Sequence, residues 1–382
     1  MSLGTSGKLA FCRDGKPIYG AGEWWVLQLA PQSRARDAGS RKVAMHVLFH
    51  AEQLALRGTE TAVFDYARYN EEVLGNRSTI VYQRTSPRNI PAVVERFAAR
   101  FALAGYDGFG EIDAIAERER ADLFYILKSG KNDGRVVRSC PTAVHAVFAK
   151  SPRQRHGDRY AFVSEYLSQK CSGGRIPFVP HMVDLPAVDD DLRAELGIPA
   201  DATVLGGYGG NECFDIPFVH KAVARTLENR SDLWFLFMNF NRFINHERAI
   251  FLPGNSDRAF KAKFINTCDA MLYARTDGET FGLACGEFSI RNRPIMAYAF
   301  SKEKCHIDIL GSKGLIYRNQ RDLETMVLGF SREQARAGDW DCYSRRFNPK
   351  SVMEIFEREF ILGGAAVPQP AHGWRGLFNL WG

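Results

Sequence analysis

The sequence predicts an α/β protein built from two doubly wound parallel sheets. Short apolar runs alternate with segments whose apolar residues recur at helical spacing, which is the pattern of alternating strands and helices. The alternation occurs once before Pro180 and again after it. The length of 382 residues is enough for two domains. Such sheets bind ligands beyond the carboxyl ends of their strands, so we expect two domains that face a cleft.

The first predicted domain covers residues 41–182 and follows an irregular extension over residues 1–40. Its first strand, 42–50, is a short apolar run typical of a parallel strand that is buried on both faces. A glycine turn at 56–60 opens the first helix, and a second helix is predicted over 89–103. The remaining strands are predicted at 78–82, 123–127, 143–148 and 160–164.

The second predicted domain covers residues 183–349 and repeats the alternation. Its strands are predicted at 203–205, 233–238, 270–273 and 294–297. Its helices are predicted at 218–227, 259–267, 281–291 and 323–330. A last helix is predicted at 352–360, and residues 365–382 form a tail.

Composition and charge narrow the function classes. Hydrophobic residues make up 45% and charged residues 25% of the chain, which suits a packed globular protein and excludes a disordered or collagen-like one. No apolar run reaches the roughly 18–20 residues that a membrane-spanning helix needs. The net charge of +6 permits anionic ligands such as phosphates but falls short of a dedicated nucleic-acid binder, so we expect no nucleic-acid partner.

Cysteine usage and the amino terminus bear on location. The eight cysteines form no CxxC pair, so we expect no zinc site and free thiols in a reducing cytoplasm. The start of the chain is short and polar, unlike a secretory signal, so we expect a cytoplasmic protein. Peripheral membrane contact is expected if the aromatic tail at 374–381 enters a lipid interface; the alternative is that it covers an apolar patch of the protein.

The most informative segment is 269–298, which has the pattern strand, acidic loop, helix and strand. Gly278 and Gly282 in the loop let the backbone approach a ligand closely. The helix that follows presents unpaired N–H groups and a partial positive charge at its start, which suits a phosphate. Glu279 precedes this helix and Glu287 lies inside it. About two helical turns separate them, so both carboxylates can line the same side of a cleft.

Glu279 and Glu287, with seven residues between them, resemble the E-x7-E signature of the retaining GT-B glycosyltransferases. The residues between them match as well, at Phe281, Gly282 and Leu283. Weaker resemblances follow the order of that family, at 56–60, 160–165, 179–185, 192–199, 203–210 and 352–360. Together they cover residues 42–362.

The resemblance implies the GT-B fold, in which two Rossmann-like domains face a cleft, an acceptor domain first and a nucleotide-sugar donor domain second. It assigns the terminal helix, 350–364, to the first domain. The implied reaction moves a sugar from a UDP- or GDP-sugar to a glycan or lipid-linked acceptor with retention of anomeric configuration, as in polysaccharide biosynthesis. It implies no cofactor and no catalytic metal.

The same resemblance assigns roles to the residues of the loop. Glu279 lies near the donor sugar and is an expected catalytic residue, whereas Glu287 binds the nucleotide ribose. The backbone amides around Phe281, Gly282 and Leu283 hold the distal phosphate. These roles agree with the chemistry, because the reaction must stabilise charge that develops on a departing phosphate.

One departure from the family's pattern concerns the groups that clamp the diphosphate. The family has an Arg after the first strand of the donor domain and a Lys shortly after it, whereas the first cation here is Lys221. Gly209 and Gly210 in this turn are candidate donor-binding residues. Arg275, which precedes the acidic loop at a strand end, is the candidate replacement for the missing clamp.

Four residues of the first domain are candidates for the cleft. Gly58 and Thr59 belong to the glycine turn, in which Arg57 stands before a single glycine where the family has two. Lys128 follows a predicted strand and either lies at the cleft or is an ordinary loop charge. His145 resembles the family's cleft histidine, which makes it a catalytic candidate; the alternative is a core histidine.

Other interpretations stay open. The aspartate run at 189–191 is interpreted as the solvated start of a helix rather than a metal site. Because the Arg and Lys that clamp the diphosphate are missing, one alternative is a catalytically inactive protein that binds nucleotide sugars. A GT-B-fold nucleotide-sugar epimerase is a further alternative, which would change the donor without any acceptor.

Overall fold

The computed structural model describes residues 44–364, so the predicted extension over 1–40 and the tail over 365–382 lie outside the described residues. The described residues belong to one compact unit. They contain two six-stranded parallel sheets, and we call each sheet with its helices a lobe. No helix in this part of the chain is both long and apolar enough to cross a lipid bilayer.

The first lobe holds a sheet in the spatial order 3-2-1-4-5-6. Its strands are β1 (His46–Ala51), β2 (Arg77–Gln83), β3 (Ala102–Tyr106), β4 (Leu123–Lys128), β5 (Thr142–Ala146) and β6 (Arg159–Phe162). Its helices are α1 (Gly58–Glu72), α2 (Pro91–Ala98), α3 (Ile112–Glu119) and α4 (Glu165–Ser172). β1 pairs with β2 on one side and with β4 on the other, so a crevice opens at the carboxyl ends of β1 and β4.

The second lobe repeats this topology, with its six strands in the spatial order 14-12-10-7-8-9. The strands are β7 (Thr203–Tyr208), β8 (Leu233–Met238), β9 (Ala249–Leu252), β10 (Ala270–Tyr273), β12 (Ile295–Tyr298) and β14 (Leu315–Tyr317). A small separate sheet pairs β11 (Gly278–Glu279) with β13 (Glu303–Lys304). The helices are α5 (Pro217–Asn229), α6 (Arg258–Thr267), α7 (Leu283–Ser289), α8 (Cys305–Leu310), α9 (Gln320–Leu328), α10 (Arg332–Ala337) and α11 (Ser344–Phe347). The crevice of this sheet lies between β7 and β10.

The carboxyl-terminal helix packs against the first lobe. α12 (Pro349–Phe356) continues as a π-helical turn (Glu357–Ile361), and both join the apolar core of the first sheet. The Phe356 ring centroid lies 5.3 Å from those of Tyr66 and Tyr125. The last described helix therefore completes the core of the lobe in which the described chain begins.

The predicted fold class, with two doubly wound parallel sheets, is confirmed. The central strands β4 and β8 are predictable because strands buried on both faces are continuous apolar runs. The strands β3, β9 and β14 are absent from the predictions, and each lies at a sheet edge, where the apolar pattern is shorter. The single helix predicted over 89–103 is wrong, because α2 ends at Ala98 and β3 begins at Ala102. The helix expected to start at the aspartate run 189–191 is not present, because residues 192–197 form a bend followed by turns.

Candidate functional site

The candidate site lies at the carboxyl ends of β7 and β10, the switch point of the second sheet. β7 ends at Tyr208 and runs directly into Gly209 and Gly210. β10 ends at Tyr273, and Arg275 follows two residues later. β7 and β10 are neighbouring parallel strands, but the chain continues from β7 toward one edge of the sheet and from β10 toward the other. The loops that follow them therefore separate and leave a crevice. The charged side chains of the E-x7-E segment lie in this crevice.

Glu279 is held beside Arg275 at the mouth of the crevice. Its Oε1 atom accepts hydrogen bonds from the Tyr273 hydroxyl at 2.9 Å and from Arg275 Nη1 at 3.0 Å. The side chains of Arg275 and Glu279 are 29% and 27% exposed, so both remain partly open to solvent. Burial lowers the pKa of Arg275, but Glu279, Cys213 and Tyr273 together oppose this effect, and the net result raises the pKa above its ordinary value.

Glu287 is buried and fully engaged by two side chains of the same lobe. Its Oε1 accepts a hydrogen bond from Lys261 Nζ on α6 at 2.9 Å, and its Oε2 accepts one from the Tyr208 hydroxyl. Burial and the charge of Glu287 raise the pKa of Tyr208 well above its ordinary value, so this hydroxyl keeps its proton and donates. Lys261 Nζ also lies 5.4 Å from the centroid of the Tyr208 ring. The second glutamate is thus paired with a cation, as the first one is.

The loop between the glutamates depends on two glycines. Gly278 and Gly282 have φ angles of 67° and 94°, in the left-handed region that favours glycine. A Cβ atom at Gly278 would lie 1.9 Å from the Glu303 carbonyl oxygen, and one at Gly282 would lie 2.9 Å from His306 Cβ. Any other residue at these two positions would therefore have both a strained backbone and a steric clash.

Phe281 anchors this loop through its side chain. The ring is buried and packs 5.4 Å from His181 and 5.0 Å from Phe347, measured between centroids. α7 begins two residues later, at Leu283. The first N–H groups of a helix have no acceptor inside the helix, so the backbone after Phe281 carries donors that a ligand can use.

The first lobe also approaches this loop near Gly58 and at Val147. A Cβ atom at Gly58 would lie 3.6 Å from Leu283 Cδ1, so the glycine turn and the start of α7 are in contact distance. The Thr280 hydroxyl donates a hydrogen bond to the Val147 carbonyl at 2.8 Å. The structure therefore brings the predicted glycine turn of the first lobe to the predicted loop of the second.

Thr59 and Lys128 have partners within the first lobe. The Thr59 hydroxyl donates to Glu60 Oε2 at 2.6 Å. Lys128, at the carboxyl end of β4, is ion-paired with Asp133 and lies 3.2 Å from His156 Nε2. Burial lowers the pKa of Lys128, although Asp133 opposes this effect. Lys128 is thus at the switch point of the first sheet, with its charge already compensated.

His145 lies in the core of the first lobe rather than at the surface of the cleft. It has no exposed surface. Its Nδ1 is hydrogen-bonded to the Tyr125 hydroxyl at 2.6 Å, and its Nε2 is 2.8 Å from the Val179 carbonyl. Burial holds its pKa well below the ordinary value. Phe360 of the π-helical turn packs over the ring, with 5.2 Å between centroids, so His145 is neutral and enclosed here, and its catalytic role stays a prediction.

A charged contact joins the two lobes near the site. Arg258, the first residue of α6, is ion-paired with Asp65 of α1 and donates from Nη2 to Asp184 Oδ2 at 2.8 Å. Tyr69 of α1 donates its hydroxyl to the same Asp184 oxygen at 2.5 Å. Burial raises the pKa of Asp65, although Arg258 opposes this effect. The contact fixes the amino-terminal end of α6 against the first lobe.

Two residues of the site escaped the sequence-based predictions. Lys261 lies on an amphipathic helix whose charges look like an ordinary solvated face, so its approach to Glu287 has no signal in the sequence. Tyr208 closes an apolar strand, where a buried aromatic residue is expected to be core. The only signal in the sequence is that the turn after β7 lacks the Arg and Lys that the family uses to hold the diphosphate. A cation from another segment would then have to take their place. Among residues 44–364, no group of three or more His, Cys, Asp or Glu side chains is arranged to hold a metal ion.

Solved structures of other proteins resemble this chain. HepE from Anabaena, in complex with UDP-glucose, matches with a TM-score of 0.65 and 15% identity over 84% of this chain and 100% of its own. A glycosyltransferase from Rickettsia africae matches with a TM-score of 0.61 and 12% identity over 85% and 100%. A Listeria monocytogenes protein assigned as a UDP-N-acetylglucosamine 2-epimerase matches with a TM-score of 0.54 and 12% identity over 86% and 99%.

These likenesses show the fold, which is GT-B, with two Rossmann-like lobes. No family model matches the sequence, and no curated protein matches it.

Proposed function

We propose that this chain, which has the GT-B fold, is a glycosyltransferase that uses a nucleoside diphosphate sugar. The observation that carries the proposal is the pairing of both glutamates of the E-x7-E segment with cations at one switch point. Arg275 pairs with Glu279, and Lys261 pairs with Glu287. This arrangement supplies carboxylates for sugar hydroxyls and positive charge for phosphates in a single crevice.

The two cations take the place of the missing clamp. In sugar transfer the leaving group is a nucleoside diphosphate, so the site must stabilise negative charge that develops on the distal phosphate. Arg275 and Lys261 provide charge from the loop after β10 and from α6, and the first N–H groups of α7 add donors at the same place. The reaction then proceeds with retention and without a metal ion, and Glu279 contacts the donor sugar. Glu287 contacts the ribose once the nucleotide displaces Lys261 or Tyr208.

The donor and acceptor are proposed as classes. A UDP- or GDP-sugar fits the charge of the crevice, and the UDP-glucose complex of HepE supports testing UDP-sugars first. The acceptor is a glycan or a lipid-linked sugar that enters from the first lobe, along Gly58 and Lys128. A cytoplasmic protein with peripheral membrane contact in polysaccharide biosynthesis agrees with this acceptor class.

The test begins with binding and ends with product analysis. Thermal shift with UDP, GDP and their common sugar conjugates, in the presence of a chelator, should reveal one nucleotide family. A ligand at about 100 times its dissociation constant adds about 2.7 kcal/mol of stability. Glu279→Gln should abolish transfer, and Glu287→Gln should weaken nucleotide binding. Glu228→Gln, on the exposed face of α5, is the matched control and should change neither. Stabilisation by no nucleotide would contradict the proposal.

An epimerase is the second candidate, which the likeness to the Listeria protein favours. Incubation with UDP-N-acetylglucosamine alone separates the two, because an epimerase produces a new sugar signal in the NMR spectrum without any acceptor. A transferase leaves the spectrum unchanged until an acceptor is added, and the anomeric coupling of its product reports retention. A protein that only binds the donor would give neither signal.

A further inference from the structure

His306 is the buried polar side chain that the proposed reaction leaves unexplained. It lies in α8 directly behind the loop that runs from Gly278 to Gly282, and it has no exposed surface. Among the described residues, neither Nδ1 nor Nε2 has a hydrogen-bond partner. Buried polar groups are almost always satisfied, so a group with two unsatisfied nitrogens needs an explanation.

The imidazole lies inside the cluster that forms the site. Its ring centroid is 4.7 Å from that of Tyr273, whose hydroxyl donates to Glu279. Its Cβ atom stands against the backbone of Gly282, the residue that precedes α7. Burial, with a smaller contribution from Arg275, lowers the pKa of His306 to about 3. The ring is therefore neutral, with one N–H donor and one acceptor nitrogen.

The other buried histidines behave differently. Each has at least one ring nitrogen within hydrogen-bond distance of a protein group; these histidines are His46, His50, His145 and His181. An apolar side chain in place of His306 would avoid the cost of desolvating two polar atoms. A partner from outside the chain would remove that cost.

We propose that the His306 imidazole donates a hydrogen bond to an oxygen of the distal phosphate of the nucleoside diphosphate donor, an assignment that rests on the proposed function. His306 stands against Gly282, the residue before α7, and lies close enough to Arg275 for that charge to lower its pKa, so the three groups border the same loop. A neutral imidazole adds a directed donor without adding a charge that must be balanced when the site is empty.

Access to His306 follows from the construction of the loop. Gly278 and Gly282 flank it with left-handed φ angles, and the Arg275–Glu279 ion pair holds its outer side. A diphosphate competes with Glu279 for Arg275, because both are anions. For the phosphate to reach the imidazole, exchange of this partner must free the outer side of the loop.

The experiment compares His306→Leu with the wild-type protein. Isothermal titration with UDP and UMP, and with GDP and GMP, measures the affinity for diphosphate and monophosphate separately. We expect His306→Leu to weaken diphosphate binding by about tenfold or more, since a hydrogen bond to a charged group is lost, and to leave monophosphate binding unchanged. The melting temperature should stay the same or rise. His306→Gln, which keeps an N–H donor, should retain part of the affinity and serves as the second variant if the leucine protein does not fold.

His46→Leu is the matched control. His46 is buried at the amino-terminal end of β1, away from the carboxyl ends of the strands, and is hydrogen-bonded to Thr79 and Glu119. This variant should lower the melting temperature and leave diphosphate affinity unchanged. Unchanged diphosphate affinity in both His306 variants overturns the inference and leaves the proposed function standing. In a parallel titration with UDP-glucose, a loss confined to this conjugate, with UDP unaffected, also overturns it, because the contact would then be with the sugar. Failure of the wild-type protein to bind either diphosphate overturns the proposed function, and the inference with it.

Discussion

Lys261 Nζ and Glu287 Oε1 lie 2.9 Å apart, and their side chains are only 14% and 7% exposed. The pair joins α6 to α7 beneath the switch point of the second sheet. The second glutamate of the E-x7-E segment is therefore compensated before any ligand arrives, by a cation that the motif does not contain.

Lys261→Met should destabilise the protein by about 3 kcal/mol, because removal of one partner leaves a buried carboxylate without its cation. Nucleotide affinity should fall in the same variant. Urea denaturation and titration with UDP measure the two effects. Lys263→Met on the same helix is the control, since Lys263 pairs with an exposed aspartate, and it should cost no more than about 1 kcal/mol. Equal losses in the two variants would show that the buried pair has no special role.

Arg275→Gln should weaken donor binding by about 10- to 100-fold, the usual effect of losing a hydrogen bond to a charged group. The measurement is the dissociation constant of the diphosphate at fixed ionic strength. Lys302→Gln removes a cation from the exposed Lys302–Asp277 pair near the same loop and should leave this constant unchanged. A similar loss in both variants would mean that the loop responds only to its overall charge.

Gly282→Ala should destabilise the second lobe and lower donor affinity, since alanine meets both a left-handed φ and His306 Cβ. The strain alone is worth about 1–2 kcal/mol. Gly197→Ala isolates that contribution, because Gly197 has a φ of 66° and no atom within 4 Å of the added carbon. Chemical denaturation of both variants should show the larger loss at Gly282. Equal losses would indicate that the loop moves aside freely.

Stability should fall steeply in mild acid. Burial lowers the pKa of His50, His181 and His306 to about 3 from an ordinary value of 6.5, and lowers that of His145 well below it. Below pH 6.5 such a histidine is protonated in the unfolded chain but stays neutral in the folded protein, so proton binding favours unfolding. The histidine's contribution to the free energy of unfolding is therefore complete above pH 6.5 and is lost as the pH falls toward the folded-state pKa. Four such groups give a slope of up to about 5 kcal/mol per pH unit.

Urea denaturation between pH 7.5 and about pH 5 measures this slope, in a range that lies above most carboxylate titration. Acid unfolding is expected between about pH 4 and 5.5 for a protein of ordinary stability. His50→Asn should reduce the slope by about a quarter, which is one group's share. A flat profile from pH 6.5 to 5 would rule out neutral buried histidines as the cause.

The sequence is informative where a single segment contains the signal. The continuous apolar runs of β4 and β8 predict buried parallel strands, and the E-x7-E segment places Glu279, Glu287 and Arg275 in one crevice. Edge strands such as β3 are short and partly exposed, so their apolar residues are few. Residue propensities alone do not distinguish such a strand from the last turn of a preceding helix. Contacts between distant segments, such as Lys261 with Glu287, leave no spacing to detect. The burial of His145 depends on the carboxyl-terminal turn that covers it.

Helix α6 begins at Arg258, which is tied to Asp65 of the first lobe, and carries Lys261 one turn later. Since both residues lie on one rigid helix, we expect a nucleotide that draws Lys261 away from Glu287 to shift Arg258 against the first lobe as well. The proposed transfer reaction would then begin with a nucleotide-induced change at the contact between the lobes, before the acceptor binds. Its kinetics should accordingly be of the compulsory-order type, with the nucleotide as the first species to enter and the last to leave.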